Sequence, residues 1–209
     1  MDLDAPASYH LDLYRYWETK RGSARKAPTR RDLDPLEIVK LLPNVALVEP
    51  EPDGYRWRLM GTAIATDFGR DLTGKRFGEY VDSSEFVKNM TKGFDVALEL
   101  ATPIFDESLF ETDFGSVHAV SRLILPLIGA EGSRSMVIFT RIARRFHQIA
   151  QVRDHMKGAK GVVLRRHDLG SFAELEKHVA EWEQTVAGPS PAGTGPDWVT
   201  RVKLRRDEC

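Results

Sequence analysis

Apolar and polar positions alternate from Tyr55 to Met60 and then change period. Tyr55, Trp57 and Leu59 share one face of a predicted strand, and Arg56, Arg58 and Met60 share the other. After Gly61 the spacing of Ile64, Ala65 and Phe68 is helical, Gly69 stops the helix, and Arg70 to Gly74 reads as a turn leading into Phe77. Strand, short helix and turn would together close one side of a small cavity. Upstream, His10, Leu13, Tyr14 and Trp17 fall on one face of a helix that Ser8 can cap. A second helix is predicted from Asp34, with Pro35 at its first position, Glu37 in a capping-box pattern, Ile38, Leu41 and Leu42 on the buried side, and Pro43 as its end. Val45 to Glu49 is a short strand, returned by the turn Pro50 to Gly54 as a hairpin.

Downstream, Asp82 with Glu85 marks a helix start, and Phe86, Val87, Met90, Phe94, Ala97, Leu98 and Ala101 recur at helical spacing until Pro103. Gly93 inside this helix costs about 1 kcal/mol against alanine, which implies close packing on a sheet or simple tolerance. Three more strands follow, Ile104 to Glu111, Val117 to Ile128 and Ser135 to Ile142, joined by turns at 112–116 and 129–132 that are short enough for antiparallel neighbours. Phe146, Ile149 and Met156 suit a modest helix, followed by Gly158 and Gly161. Ser171 and Glu174 then cap a better helix carrying Phe172, Leu175, Val179, Trp182 and Val186. Gly188 to Pro196 has linker composition, and Trp198 to Arg206 alternates apolar and basic residues, as an edge strand or a disordered tail would.

The predicted class is α+β, a five-stranded antiparallel sheet with helices inserted after the second strand. In that order, and in Arg58-Leu59-Met60-Gly61-Thr62, Asp71-Leu72-Thr73-Gly74-Lys75 and Arg122-Leu123-Ile124-Leu125-Pro126-Leu127, the chain resembles a PAS sensory domain of the bacterial branch with a leading helix and basic loop. The resemblance implies a PAS-like domain at 32–144, an N-terminal helix and basic loop at 1–31, and a C-terminal helical extension and flexible tail at 145–209. It also implies a stand-alone sensory module that binds a small ligand or a protein signalling partner, without a catalytic output domain. Leading helices of such modules pair across a homodimer, which makes Leu13, Tyr14 and Trp17 interface residues; packing on their own domain is the alternative. A ligand pocket is expected between the inner sheet face and the helices. Its apolar lining would be Phe68, Phe77, Phe86, Met90, Phe94, Phe105 and Leu125, with Thr62, His118, Arg122 and Thr140 as polar anchors. Arg122 either holds a carboxylate of the ligand, or snorkels to solvent or pairs with a nearby acid such as Asp106 or Glu107.

Composition narrows the chemistry. In 209 residues a hydrophobic content of 42% is enough for one packed core. The formal net charge of -1 gives no global attraction to nucleic acid or to an anionic membrane. The longest apolar run, Leu123 to Ala130, is far short of a membrane span and the start has no leader pattern, so a cytoplasmic protein is expected. Cys209 is the single cysteine, which excludes an intrachain disulfide and argues against a covalent flavin adduct or a thioester-linked chromophore inside the domain. The helix from Ser84 to Leu100 has no histidine for haem, and Met90 on its apolar face reads as core. Non-covalent flavin or a small organic ligand stays open. No phosphate loop, nucleophile elbow or metal-binding helix motif occurs, and the six histidines lack metal spacing. Two alternatives are kept: a small α+β isomerase or hydratase using Asp67 in the same cavity, and anion or nucleic-acid binding by the basic segment Arg141 to His167. The basic loop Arg21 to Arg31 reads as a solvated connection.

Overall fold

The computed structural model describes residues 6–23, 25–79, 84–111, 117–129, 132–143 and 161–187. Among these, six strands form one antiparallel sheet: β1 Val45–Glu51, β2 Gly54–Met60, β3 Ile104–Glu111, β4 Val117–Ile128, β5 Arg134–Ala143 and β6 Gly161–Asp168. Their order is β2-β1-β5-β4-β3-β6. The helices are α1 Ser8–Arg21, α2 Thr62–Phe68, α3 Ser84–Leu100 and α4 Phe172–Ala187. The α+β class and the insertion of α2 and α3 after the second strand are as expected.

Alternation along the strands sorts the core onto two faces. Ala119, Leu123, Leu125 and Leu127 of β4 join Phe105, Leu109 and Phe139 in a cluster completed by Leu13, Tyr14 and Trp17 of α1 and by Leu175, Val179 and Trp182 of α4. Ile124 turns the other way and joins Ile104, Met136 and Ile138 beneath Ile64 of α2 and Met90, Phe94, Ala97 and Leu98 of α3. Trp17 is anchored further, its indole N–H donating to the carbonyl of Pro126 at 2.8 Å.

Several local expectations are corrected. The sheet has a sixth strand, β6, where only a glycine break at Gly161 is predicted. It pairs with β3 along Ile104 to Phe110, and its Val162, Val163 and Leu164 are the β-branched and apolar residues such pairing favours. Asp34 to Pro43 is not a helix but two short 3-10 turns, Pro35–Ile38 and Leu42–Asn44, because the Asp34 carboxylate accepts from Leu36 N at 2.9 Å and closes a tight turn instead. Ser8 lies inside α1 rather than capping it; Ala7 is the cap residue and offers no side-chain bond. In β2 the faces exchange partway: Leu47 pairs with Leu59 but Val48 with Trp57, so Arg58 is an extra residue that reverses the facing of Leu59 and Met60. Met60 is therefore buried and Leu59 is 46% exposed, the opposite of simple alternation. The Ser171 cap holds, with Glu174 N donating to its Oγ at 3.3 Å and Gly170 N donating to the Glu174 carboxylate at 2.7 Å. The predicted turn 112–116, the helix around Phe146 to Met156, the linker and the tail lie outside the described residues.

Gly74 to Phe77 runs beside β2 and covers its edge. Gly74 N donates to Trp57 O at 2.7 Å, Trp57 N to Lys75 O at 3.0 Å and Phe77 N to Tyr55 O at 2.6 Å.

Candidate functional site

Polar residues enter these apolar strands in consecutive pairs: Asp106-Glu107 in β3, Ser121-Arg122 in β4, Thr140-Arg141 in β5 and Arg165-Arg166 in β6. The register places the pairs side by side. Asp106 lies opposite Arg122 and Arg166, and Arg122 opposite Thr140; Glu107 lies opposite Ser121 and Arg165, and Ser121 opposite Arg141. Because strand neighbours point to opposite faces, the belt divides into two rows. Arg166, Asp106, Arg122 and Thr140 face α3, while Arg165, Glu107, Ser121 and Arg141 face α1 and α4.

On the α3 face Asp106 is fully buried. Arg122 Nε donates to its Oδ1 at 2.7 Å and Arg122 Nη2 donates to Ser108 Oγ at 2.9 Å, so the pairing with Asp106 is the one realised. Arg166 stands 3.7 Å from Asp106 Oδ2 and donates to the carbonyl of Asn89 in α3 at 2.6 Å. Two guanidinium groups thus face one carboxylate, and buried Asp106 Oδ2 and Arg166 Nε have no hydrogen-bond partner among the described residues. Burial holds the Arg166 pKa below its ordinary value, with the pull of Asp106 working against it. Gly93 touches this site: a Cβ there would stand 2.7 Å from Arg166 Nε, so a larger residue would require the guanidinium to shift.

On the opposite face Glu107 is 1% exposed. Arg165 Nε donates to its Oε2 at 2.8 Å, while Oε1 has no hydrogen-bond partner among the described residues. Burial pushes the Glu107 pKa up to about 7 in spite of Arg165. His10 of α1 is fully enclosed, edge-on to Phe139 with ring centroids 4.7 Å apart. Its Nδ1 is 3.3 Å from the carbonyl of Ala7, and a carbonyl only accepts, so Nδ1 carries the proton and Nε2 accepts from Ser121 Oγ at 3.2 Å. Burial, the largest cause, lowers the His10 pKa to about 3 and keeps the ring neutral. Arg141 reaches Glu183 of α4 at 2.6 Å. His178 of α4 stacks on His167 of β6 with centroids 3.6 Å apart.

The residues expected to line one pocket are divided by the sheet. Met90 and Phe94 are buried on the α3 side, with Phe68 and Phe77 partly buried against them; Phe77 meets Phe94 edge-on at 5.4 Å. Phe105 and Leu125 belong to the α1/α4 side. Arg122 and buried Thr140 sit on the α3 side, Thr62 is exposed at the start of α2, and His118 is half-buried near the start of β4. The Phe86 side chain lies outside the described residues. Leu13, Tyr14 and Trp17 are buried within their own chain. Asp67, the alternative general base, is half-buried at the end of α2. Arg144, Arg145, Arg153, Lys157 and Lys160 of the basic segment lie outside the described residues, and Arg165 and Arg166 are taken up by the belt. Reasoning from sequence misses Glu107, Ser108, Arg166, His10 and Glu183 as parts of one constellation. The available signal is the doublet of polar residues at matching depth in four strands.

Among the described residues no helix is long and apolar enough to cross a membrane, and no group of His, Cys, Asp and Glu is placed to hold a metal ion. A family model described as PAS domain matches residues 6–139. The chain belongs to the PAS domain family. The PAS match begins before α1 and ends within β5, so β6 and α4 lie beyond it. Among solved structures, the PAS domain of Bordetella pertussis BvgS is 20% identical, aligned over 73% of this chain and 98% of its own, with a TM-score of 0.40. Vibrio cholerae VqmA is 11% identical over 82% of this chain and 87% of its own, with a TM-score of 0.42. A light-oxygen-voltage domain is 14% identical over 58% of this chain and 91% of its own, with a TM-score of 0.42. These likenesses are weak, and the PAS assignment rests on the family match. No curated protein sequence matches this chain significantly.

Proposed function

We propose that this PAS domain is a non-catalytic sensory module. Its signal enters on the α3 face, at the row containing Arg122, and leaves through α1 and α4. The observation that carries this reading is the two-sided belt: Ser121 and Arg122 are adjacent in β4, yet Ser121 bonds His10 of α1 while Arg122 bonds Asp106 under α3. Thr140 and Arg141 repeat the arrangement in β5, with Arg141 tied to Glu183 of α4. A ligand that draws Arg122 from Asp106 and shifts the β4 backbone would carry Ser121 with it and alter the seat of His10, which is the differential contact a switch requires.

The ligand class follows from charge. Two guanidinium groups over one carboxylate suit a small molecule with a carboxylate or similar anionic group. Homodimerisation through Leu13, Tyr14 and Trp17 is not part of this reading, because the chain's own core already buries them. Native mass spectrometry of the freshly purified chain tests the proposal. A stoichiometric small molecule that is lost in Arg122→Met supports it. A bare mass in the wild type, together with no binding of an aliphatic and aromatic carboxylate panel, overturns it.

A further inference from the structure

Among the described residues β6 is an end strand that meets only β3, and two consecutive charges mark where it sits. Asp106 and Glu107 of β3 are buried, and β6 sets Arg166 opposite the first and Arg165 opposite the second. Among the described residues Glu107 forms an ion pair with Arg165 alone. Leu164 falls at the register shift and packs toward α1 and α4, while Val163 packs toward α3. The seat on β3 thus selects a short pattern, in which apolar residues lead into a leucine at the bulge and then two arginines.

The chain contains that pattern twice. Val162-Val163-Leu164-Arg165-Arg166 lies in β6, and Val202-Lys203-Leu204-Arg205-Arg206 repeats it in a segment outside the described residues. Charge decides where a second such strand fits. Beside β6 it would bring Arg205 and Arg206 against a strand that carries Arg165 and Arg166, and beside β2 against one that carries Arg56 and Arg58; like charges on neighbouring strands are destabilising. The edge of β2 is in any case covered by Gly74 to Phe77. The acid pair of β3 suits two arginines. Reach permits the pairing: α4 ends at Ala187, and Glu183 near that end is tied to Arg141 of β5, two strands from β3. Two strand spacings are about 10 Å. Residues 188–201 span up to about 46 Å when extended.

We infer that the β3 edge is a strand-docking site that the chain's own C-terminal segment shares with β6: residues 202–206 pair with β3 in the place of β6, Arg205 at Glu107 and Arg206 at Asp106. β6 holds the seat at rest because Val163 packs on the α3 cluster and His167 stacks on His178 of α4, where the second copy of the pattern offers Lys203 and Asp207. Exchange takes His167 from His178 and so loosens the seat of α4. Amide hydrogen exchange on the full chain tests this. β3 stays bonded whichever strand is seated, whereas β6 is bonded to it only while it holds the seat, so competition lowers protection in β6 alone. The tether keeps the competing segment at millimolar effective concentration. Arg205→Glu with Arg206→Glu removes the competitor and should raise β6 protection by roughly threefold or more while β3 stays unchanged. A synthetic peptide of residues 198–207, added in excess to that variant, should lower β6 protection again; the same peptide with Arg205→Glu and Arg206→Glu should not. Equal β6 protection in wild type and variant, or a peptide effect that falls on β3 and β6 alike, overturns the inference. So does a concentration-dependent dimer in sedimentation that the double variant abolishes, which would give the seat to the tail of a second copy.

Discussion

Removing the Asp106 carboxylate leaves Arg122 and Arg166 without their shared counter-ion inside the fold. Asp106→Ala should therefore cost about 3–5 kcal/mol in urea unfolding, the range for breaking a buried ion pair. Arg122→Met added to it should recover part of that loss, because the stranded charge goes with it. The two titrating groups of the other row make a pH prediction. Glu107 has its folded pKa raised from 4.5 to about 7, so the native state holds the extra proton and this group alone makes stability fall as pH rises through that window. His10 has its folded pKa lowered from 6.5 to about 3, so the unfolded state holds the extra proton and stability falls as pH drops below 6.5. Between 4.5 and 6.5 the two slopes oppose each other and nearly cancel. Glu107→Gln should expose the His10 slope: stability in chemical denaturation should fall by about 1.4 kcal/mol for each unit of acidification across that window, relative to wild type. Parallel wild-type and variant curves would contradict the assignment. Arg122 and Thr140 are legible in the sequence as polar residues within apolar strands. Asp106 is legible too, as one of two acids offered to Arg122, but the guanidinium of Arg166 is not, because it becomes a neighbour of Asp106 only through the register of β6 on β3.

At the level of elements, α3 is shaped by what lies beneath it. Alanine at position 93 should gain about 1 kcal/mol of helix propensity, but its Cβ would displace the Arg166 guanidinium from Asn89 O and Asp106. Gly93→Ala should thus destabilise the wild type yet stabilise an Arg166→Ala background, a change of sign read from a double-mutant cycle. The same sign in both backgrounds would show that Gly93 is merely tolerated. Helices with a long apolar stripe, α1, α3 and α4, are legible because 3.6-residue periodicity survives whatever packs on them. The 34–43 segment reads as a helix because Asp34, Pro35 and Glu37 are good starting residues, but only Ile38 and Leu41 find a buried place while Leu36 is 81% exposed. Without a continuous buried face, two single turns replace a helix. β6 escapes because Arg165, Arg166, His167 and Asp168 look like surface; the two arginines are accommodated by Glu107 and Asp106 of β3, which no local pattern reports. The flip in β2 depends on one bulged residue, Arg58, and alternation cannot place a bulge.

For the whole molecule, the sheet is a wall between two helical layers that are joined by one polar belt. α3 and α4 share no side of that wall, yet adjacent residues of β4 and β5 serve both. If the belt is one coupled structure, a change confined to the α3 face must be felt by α1 and α4. Amide hydrogen exchange of α4 (Phe172–Ala187) and α1 (Ser8–Arg21) in Arg122→Met tests this, with Ile124→Val as a control for general loss of stability on the same strand and face. The account predicts that Arg122→Met lowers protection in both helices well beyond the control, although among the described residues Arg122 bonds only Asp106 and Ser108. Loss of protection limited to β3, β4 and α3 would contradict it.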